Sequence, residues 1–487
     1  MGITEVLPAS VFQLNVDAFV ASAMAVERQP LSGLQAGQRT LSVRSATFSD
    51  LKSALSALRS KAQALTQAGA LSPFQAKAVS SSSATVATAT ASPSALPAVH
   101  TLSVSQLAKL STIVSQQLTG SATDVVTAEG AGTKSVKITY DGTDPATSGT
   151  AVTVNVELTG GDTNNTILTN LATAINNDST LGAKVSASVV GDTATTARLV
   201  LTSKQTGQAN KVRVADTTGT LLSRLGLSGE SGSVGTGGGF LYADTVLDAT
   251  FKLDGLAITR SSNSVSDVLT GVTINLLGLS TSDVTLTVSA DKTSMKASVQ
   301  AFLDSYNKAL KFLQERTRVK ASATTSGTGS TEVTSVVRGQ LAGDTMYGSL
   351  MTNIRSDAGS AVSSVQTGDP ALLADVGITT ASDGALSIGD TTKLDSAIET
   401  KLSGLTDLFA STSGVATRLI TRMDGFVNGG GLIDGSLSTV TSKTQNINQQ
   451  IARLEARLVT REAALRKQLT NLQKALLALS AQRFIFT

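Results

Sequence analysis

Very few residues in this chain have side chains that do chemistry. The 487 residues include no cysteine, and His100 is the only histidine. Disulfides, thiol nucleophiles and nearly all transition-metal sites are thereby excluded, and a hydrolytic triad, which needs a histidine, has only His100 to draw on. Carboxylates and glycines remain. Asp254 and Gly255 stand between two short strand-like runs, where a catalytic acid on a loop is one reading and a tight β-turn the other; the flanking pattern favours the turn. Triple glycines occur at Gly237–Gly239 and Gly429–Gly431. Neither is followed by the Lys-Ser/Thr of a phosphate-binding loop, and neither lies in a strand-loop-helix frame. They read as hinges, and Gly429, Gly430 and Gly431 are expected to let the helix after them reorient. No cofactor and no catalytic residue is expected.

Charge and hydropathy narrow the classes further. Charged residues make up 15%, aromatic residues 3%, and tryptophan is absent. Cores must therefore be built from small and β-branched side chains, a poor lining for an enzyme pocket. The net charge of +3 lies mostly in the last helix, where Lys443, Arg453, Arg457, Arg461, Arg466, Lys467, Lys474 and Arg483 face only Glu455 and Glu462. With so few aromatics to stack on bases, no nucleic-acid partner is expected. No run approaches the length of a membrane-spanning helix, and the apolar stretch Val16–Val26 is interrupted by Asp17 without a basic flank, so neither a membrane span nor a cleavable signal is expected.

Positioning elements come next. From Gln445 onward, Ile447, Ile451, Leu454 and Leu458, then Leu465, Leu469, Leu472, Leu476 and Leu479, mark one apolar seam with no Gly or Pro in it. Two consecutive steps of four (Leu454, Leu458, Glu462) form a stutter that relaxes left-handed supercoiling. A long, nearly straight helix in a coiled-coil-like bundle is expected. Near the other end, a helix capped by Asn15 or Asp17 carries Val16, Phe19, Val20, Ala23 and Met24, with Pro30 expected to end it. A second helix from about Ser32 repeats Leu41, Phe48, Leu55 and Ala62 every seven residues beside Leu51, Leu58 and Leu65, a second bundle seam closed by Gly69 and Pro73. Residues 1 to about 15 show no period.

Between these helices the pattern changes. Strand-like runs recur from about Ser80 to Val288, separated by Gly, Asp and Asn, with one helix through Ile167, Leu168, Leu171 and Ile175 and a short turn or helix expected at Asp267–Leu269. Ser228–Gly239 reads as a flexible connector. Helical periodicity returns at Met295, Val299, Phe302, Tyr306 and Leu313, ended by a Thr/Ser/Gly tract at Ser322–Ser330. Helices near Leu341–Ile354, Lys393–Leu408 and Ala416–Phe426 follow, with a hairpin turning at Asp383 and Gly384. Helix, then sheet, then helix describes an insertion. The fold class is α+β and multidomain, with β-rich domains inserted between terminal helices that form a coiled-coil-like bundle.

Three stretches carry a resemblance. The helices from Leu14 to Leu65 with their Glu27-Arg28-Pro30 break, the motif Phe251, Asp254, Gly255, Ile258, Arg260, Asn263, Asp267, Gly271, Val272 and Thr273, and the segment from Leu373 to the terminal helix together resemble the flagellar hook-associated protein 2 family, the flagellar filament cap proteins (FliD). The resemblance implies a protein exported unfolded by the flagellar type III apparatus with its chaperone. It implies a homo-oligomeric ring, commonly a pentamer, at the extracellular filament tip beside hook-filament junction proteins. There it would help exported flagellin fold and insert. A flagellin-like or junction structural protein, or a surface adhesin acting through the outer β-rich domain, is the alternative. Four parts are expected: residues 1–45 and 440–487 as a terminal leg, 46–78 and 292–439 as a helical bundle, 79–130 and 240–291 as a β-rich domain, and 131–239 as an outermost α+β insertion.

Overall fold

The structure is a computed structural model describing residues 15–227, 237–325 and 331–485; the expectations for residues 1–14 and for most of the connector, 228–236, lie outside them. In chain order, helices α1 (Val16–Glu27) and α2 (Gln29–Leu65) lead into strands β1 (Lys77–Ser81), β2 (Ala87–Ala91), β3 (Ala98–Gln106), β4 (Leu110–Val114) and β5 (Leu118–Thr119). Then come α3 (Asp124–Glu129), β6 (Gly132–Thr139), β7 (Val152–Leu158), α4 (Asn164–Asn177), α5 (Leu181–Lys184), β8 (Val185–Gly191), β9 (Thr196–Thr206), β10 (Arg213–Asp216) and α6 (Leu221–Arg224). Strands β11 (Gly239–Phe240), β12 (Ala249–Leu253), β13 (Leu256–Arg260), β14 (Ser264–Leu269), β15 (Val272–Leu276) and β16 (Val284–Ala290) precede α7 (Lys292–Thr317). The remainder is β17 (Val319–Thr325), β18 (Thr331–Arg338), α8 (Thr345–Gly359), β19 (Ile378–Thr380), β20 (Leu386–Ile388), α9 (Thr391–Thr400), α10 (Leu402–Ala410), α11 (Val415–Val427) and α12 (Leu432–Ile485).

The chain divides into two compact units, Met1–Phe74 with Lys292–Thr487, and Gln75–Asp291. In the helical unit, the heptad row of α2 is the central seam. Phe48, Leu51, Leu55, Leu58, Ala62 and Leu65 are at most 2% exposed, packed among α7, α11 and α12. Aromatic rings fill the bundle: Phe409 packs edge-on to Phe302 at 5.9 Å and stacks on Phe74 at 5.9 Å. Local capping places the helices, with the Asn15 side chain accepting from Ala18 N at 3.0 Å and Asp390 from Lys393 N at 3.1 Å.

The β unit holds two cores. In one, β1-β16-β3-β12-β13 and β14-β15-β2 enclose Leu102, Val104, Phe251, Val265, Ile274 and Leu286. In the other, β10-β6-β7 and β11-β4-β9-β5 pack with α4 around Val136, Ile138, Ile167, Leu171 and Leu199. Ile113, Leu118, Val125 and Val126 belong to this second core, upstream of the boundary expected at 130–131. All pairings among the described strands are antiparallel.

Several expectations need correction. Pro30 does not end α1: that helix stops at Arg28, and Pro30 stands in the first turn of α2, where a missing N–H removes no helical bond. Asp267–Leu269 is not a helix or turn but part of strand β14, paired with β15 through Val265↔Ile274 and Leu269↔Val272. The Thr/Ser/Gly tract does not end α7, which stops at Thr317, and the tract's first residues, Ser322–Thr325, lie in β17 and pair with β18. The helix expected over Lys393–Leu408 is two, broken at Lys401.

Candidate functional site

The last helix extends 54 residues, and its covered face has a repeat of its own. Ile447, Ile451, Leu454, Leu458, Glu462, Leu465, Leu469, Gln473 and Leu476 are the side chains drawn out of solvent. Triplets of this set recur every eleven residues, Ile447 to Leu458 to Leu469 being one column. An eleven-residue repeat gives about 3.67 residues per turn, close to the natural helix and so nearly free of left-handed coiling. A seven-residue count puts Leu472 and Leu479 in the seam. Leu472 stands 49% exposed, and Leu479 62%, because the stripe passes through Gln473 instead.

Two partners cover this stripe. α1 contributes Val20 and Met24, which with Leu458 form a buried cluster flanked by Val16, Leu31, Leu454, Leu465 and Leu469. α2 runs antiparallel to α12: Gln38 Nε2 donates to Asn448 Oδ1 at 2.7 Å, and Lys52 Nζ to Asp434 Oδ1 at 2.5 Å. Gly37 of α2 faces Ile447 of α12, where a Cβ would stand in ordinary contact with Ile447 Cδ1 at 3.4 Å. Leu41 lies half-buried on the same helix, above the fully buried seam from Phe48 to Leu65. Ion pairs border the contact: Arg466–Asp17 at 2.5 Å, Arg461–Glu27 at 3.0 Å and Arg28–Glu462 at 3.1 Å. Hydrogen bonding to Lys52 holds the Asp434 carboxyl below its ordinary range. Along α12, Ile433, Val440 and Leu458 are the buried large apolar side chains; the rest of the stripe is half-covered.

Gly429, Gly430 and Gly431 form the turn between α11 and α12. Gly430 has φ +80° and donates its N–H to Asp434 Oδ2 at 3.1 Å, while a Cβ on Gly431 would come within 2.7 Å of Phe426 O.

The motif residues belong to hairpin architecture, not to a reaction centre. Phe251 is 1% exposed in the β-sandwich core. Asp254 (φ +52°) and Gly255 (φ +83°) make the turn between β12 and β13, both positive as that tight turn requires. The Asp254 carboxylate binds β3, through His100 Nδ1 at 2.7 Å and the Thr101 N–H at 2.8 Å. The His100 hydrogen bond, then that from Thr101, depress its pKa. Arg260 Nε donates to both oxygens of Asp267, at 3.0 and 2.9 Å, an exposed ion pair between β13 and β14, and the aspartate fits in β14 because its side chain is 61% exposed. Asn263 imitates a strand: its side chain accepts from Ala108 N at 2.7 Å and donates to Ala108 O at 2.9 Å. At Gly271 (φ +74°) a Cβ would meet Ser94 Oγ at 2.6 Å and Ser92 Oγ at 2.7 Å.

Composition gives no sign of Lys211, 2% exposed, whose Nζ reaches Asp244 Oδ1 at 2.5 Å and lies 4.3 Å from the Phe240 ring centroid. This buried lysine ties the segment just before β10 to Phe240 of β11 and to Asp244 after it. A cavity of about 360 Å³ between α7, α8 and the β19–β20 hairpin is lined by Tyr306, Arg355, Gly384 and Leu386. Among the described residues no group of three or more His, Asp or Glu is placed to hold a metal ion, and no helix is long and apolar enough to cross a membrane.

The family models described as flagellar hook-associated protein 2 N-terminus and C-terminus match residues 13–111 and 247–481. The B-type flagellar hook-associated protein 2 of Pseudomonas aeruginosa is 33% identical over 318 residues, 64% of this chain and 63% of that protein, so the match spans less than two thirds of that relative. The flagellar hook-associated protein 2 of Escherichia coli K12 is 26% identical over 96% of this chain and 94% of its own. The crystal structure of the flagellar cap protein FliD D1-D2-D3 domains from Escherichia coli matches with a TM-score of 0.59 and 25% identity, over 81% of this chain and 99% of that one.

Proposed function

The chain belongs to the flagellar hook-associated protein 2 family, and on that premise we propose that it is a structural protein that caps the flagellar filament. It assembles as a homo-oligomeric ring, a pentamer, at the extracellular filament tip, and it promotes folding and insertion of exported flagellin as the filament elongates. It reaches the tip through the flagellar type III export apparatus with a chaperone, and meets the hook-filament junction proteins before elongation begins. The observation that carries this reading is the likeness to a flagellar cap structure over 99% of that structure's length. Physical chemistry agrees with it. A chain without cysteine forms no disulfide cross-links during export, and a terminal helix half-covered in one copy has surface left for an assembly.

The test is a motility rescue combined with a mass measurement. A strain lacking its own cap protein should regain filaments and swimming when given this chain, and the purified protein should have the mass of a small closed ring. Long filaments formed by the purified protein alone would point instead to a flagellin-like or junction protein, and monomers without rescue would remove the capping reading.

A further inference from the structure

Helix α1 has a composition that a single copy of the chain does not accommodate. Its twelve residues carry no Lys or Arg, and their only charges are Asp17 at the start and Glu27 at the end. A helix apolar on all sides belongs in an interior. α12 covers one face only, Val20 and Met24, each 2% exposed, while Phe19 and Val26 on the outer face are 58% and 66% exposed. Phe19 is the one aromatic among the large apolar side chains standing exposed in the described residues. The Ser22 hydroxyl between them folds back to its own helix, onto Phe19 O at 3.0 Å, so it adds no polarity to that face.

α12 has a bare flank of the opposite charge. To the side of its covered stripe, the same eleven-residue repeat aligns Arg453 with Ala464 and Ala475, Arg457 with Gln468 and Leu479, and Arg461 with Leu472. The flank thus starts in arginines and ends, beyond Ala464 and Gln468, in alanine and exposed leucines. Between Glu27 and this flank lies a groove of about 660 Å³ lined by Leu454, Ala456, Leu458, Thr460, Ala464 and the two arginines 457 and 461. Small residues form the holes that a large knob on a facing helix fills. Among the described residues Arg453 and Arg457 have no ion pair, whereas Arg461 and Arg466 already hold the acids of α1.

We propose that the outer face of α1, through Phe19 and Val26, seats in the Ala464 groove of α12 on a second copy of this chain. Both faces lie on the same chain, and they differ in shape and sign: an acidic helix with an aromatic knob, a basic flank with small-residue holes at Ala456 and Ala464. Two different faces on one chain make a head-to-tail contact, which repeats around a ring until it closes. This inference rests on the ring reading above and names the surfaces that build it. Asp17 and Glu27 of the seated helix stay paired with Arg466 and Arg461 of their own copy, so Arg453 and Arg457 contribute by attracting a helix that carries acids and no bases, and the apolar knob sets the register.

The chain's lack of cysteine makes the test direct. Full-length Phe19→Cys and full-length Ala464→Cys are purified separately, mixed, assembled and oxidised. The expected result is a disulfide-linked dimer containing one of each variant, and none from either variant alone. Phe19→Lys, at a position exposed in the single copy, is expected to keep its helix content and weaken ring association about tenfold or more, the scale of losing one aromatic anchor. Rings of normal mass with no mixed dimer, Phe19→Cys linked to itself, or Phe19→Cys linked to a cysteine-bearing flagellin in co-assembled filaments would each overturn the inference while leaving the ring. A wild-type protein that stays monomeric would overturn both.

Discussion

The inserted sheets and the terminal leg bury their apolar residues to different extents. In the β unit, inward positions such as Leu102, Val136, Ile138, Leu199 and Ile274 are at most 1% exposed, whereas along α12 Leu458 keeps 7% and Leu472 49%. The sheets fill their cores within one copy, because hairpin turns and side-chain clamps tie strand to strand. The leg is α12 with α1 and the first part of α2 against one face and the others bare. A long helix sheathed on one side depends on its partner for most of its stability. On the proposed ring reading, the comparison separates residues that hold the subunit together from residues that would hold subunits to one another.

The largest expected effect that sharpens this separation is Leu458→Asp. It places a carboxylate against Val20 and Met24, at a cost of about 3 kcal/mol or more to the α1 contact. Hydrogen exchange should show α1 losing its protection, the β unit keeping its own, and capping failing while export continues. Next, Gly271→Ala should destabilise the β unit by about 2 kcal/mol through strain at φ +74° and contact with Ser92 and Ser94, lowering its melting temperature while ring assembly persists. Asn263→Ala removes both bonds to Ala108 and should cost the same unit about 1 to 2 kcal/mol, read by urea unfolding.

The smallest effect is a pH dependence in the β unit. The Asp254 pKa is depressed in the folded state, so the carboxylate adds stability that is fully present above the unfolded aspartate value of about 3.9 and is lost as pH falls through the lower folded value. Unfolding of the wild type and Asp254→Asn should therefore differ at neutral pH and converge in acid. A difference that stays constant as the pH falls would mean that this carboxylate does not contribute through its charge.

Much of the architecture is legible from spacing. The row from Phe48 to Leu65 lies where a seven-residue count puts it, and the Asp254-Gly255 turn and the α4 helix sit where turn and capping residues place them. What is not legible depends on partners that spacing does not announce. Asp267 fits a strand because its side chain faces solvent, 61% exposed, and Lys211 is buried because Asp244 and Phe240 await it. Leu472 leaves the seam because the stripe, having passed through Glu462, continues through Gln473, a position that a hydrophobic count skips. Which faces of α1 are bare is likewise invisible until α12 is seen to cover only one.

The claim that the leg is finished only in the assembly is tested most directly by hydrogen exchange on α1 and on residues 459–479 of α12, compared between dilute monomer and assembled ring. The account predicts strong added protection in both segments on assembly, with the amides of the β-unit core unchanged. Equal exchange of the leg in monomer and ring, or added protection confined to the β unit, would contradict it.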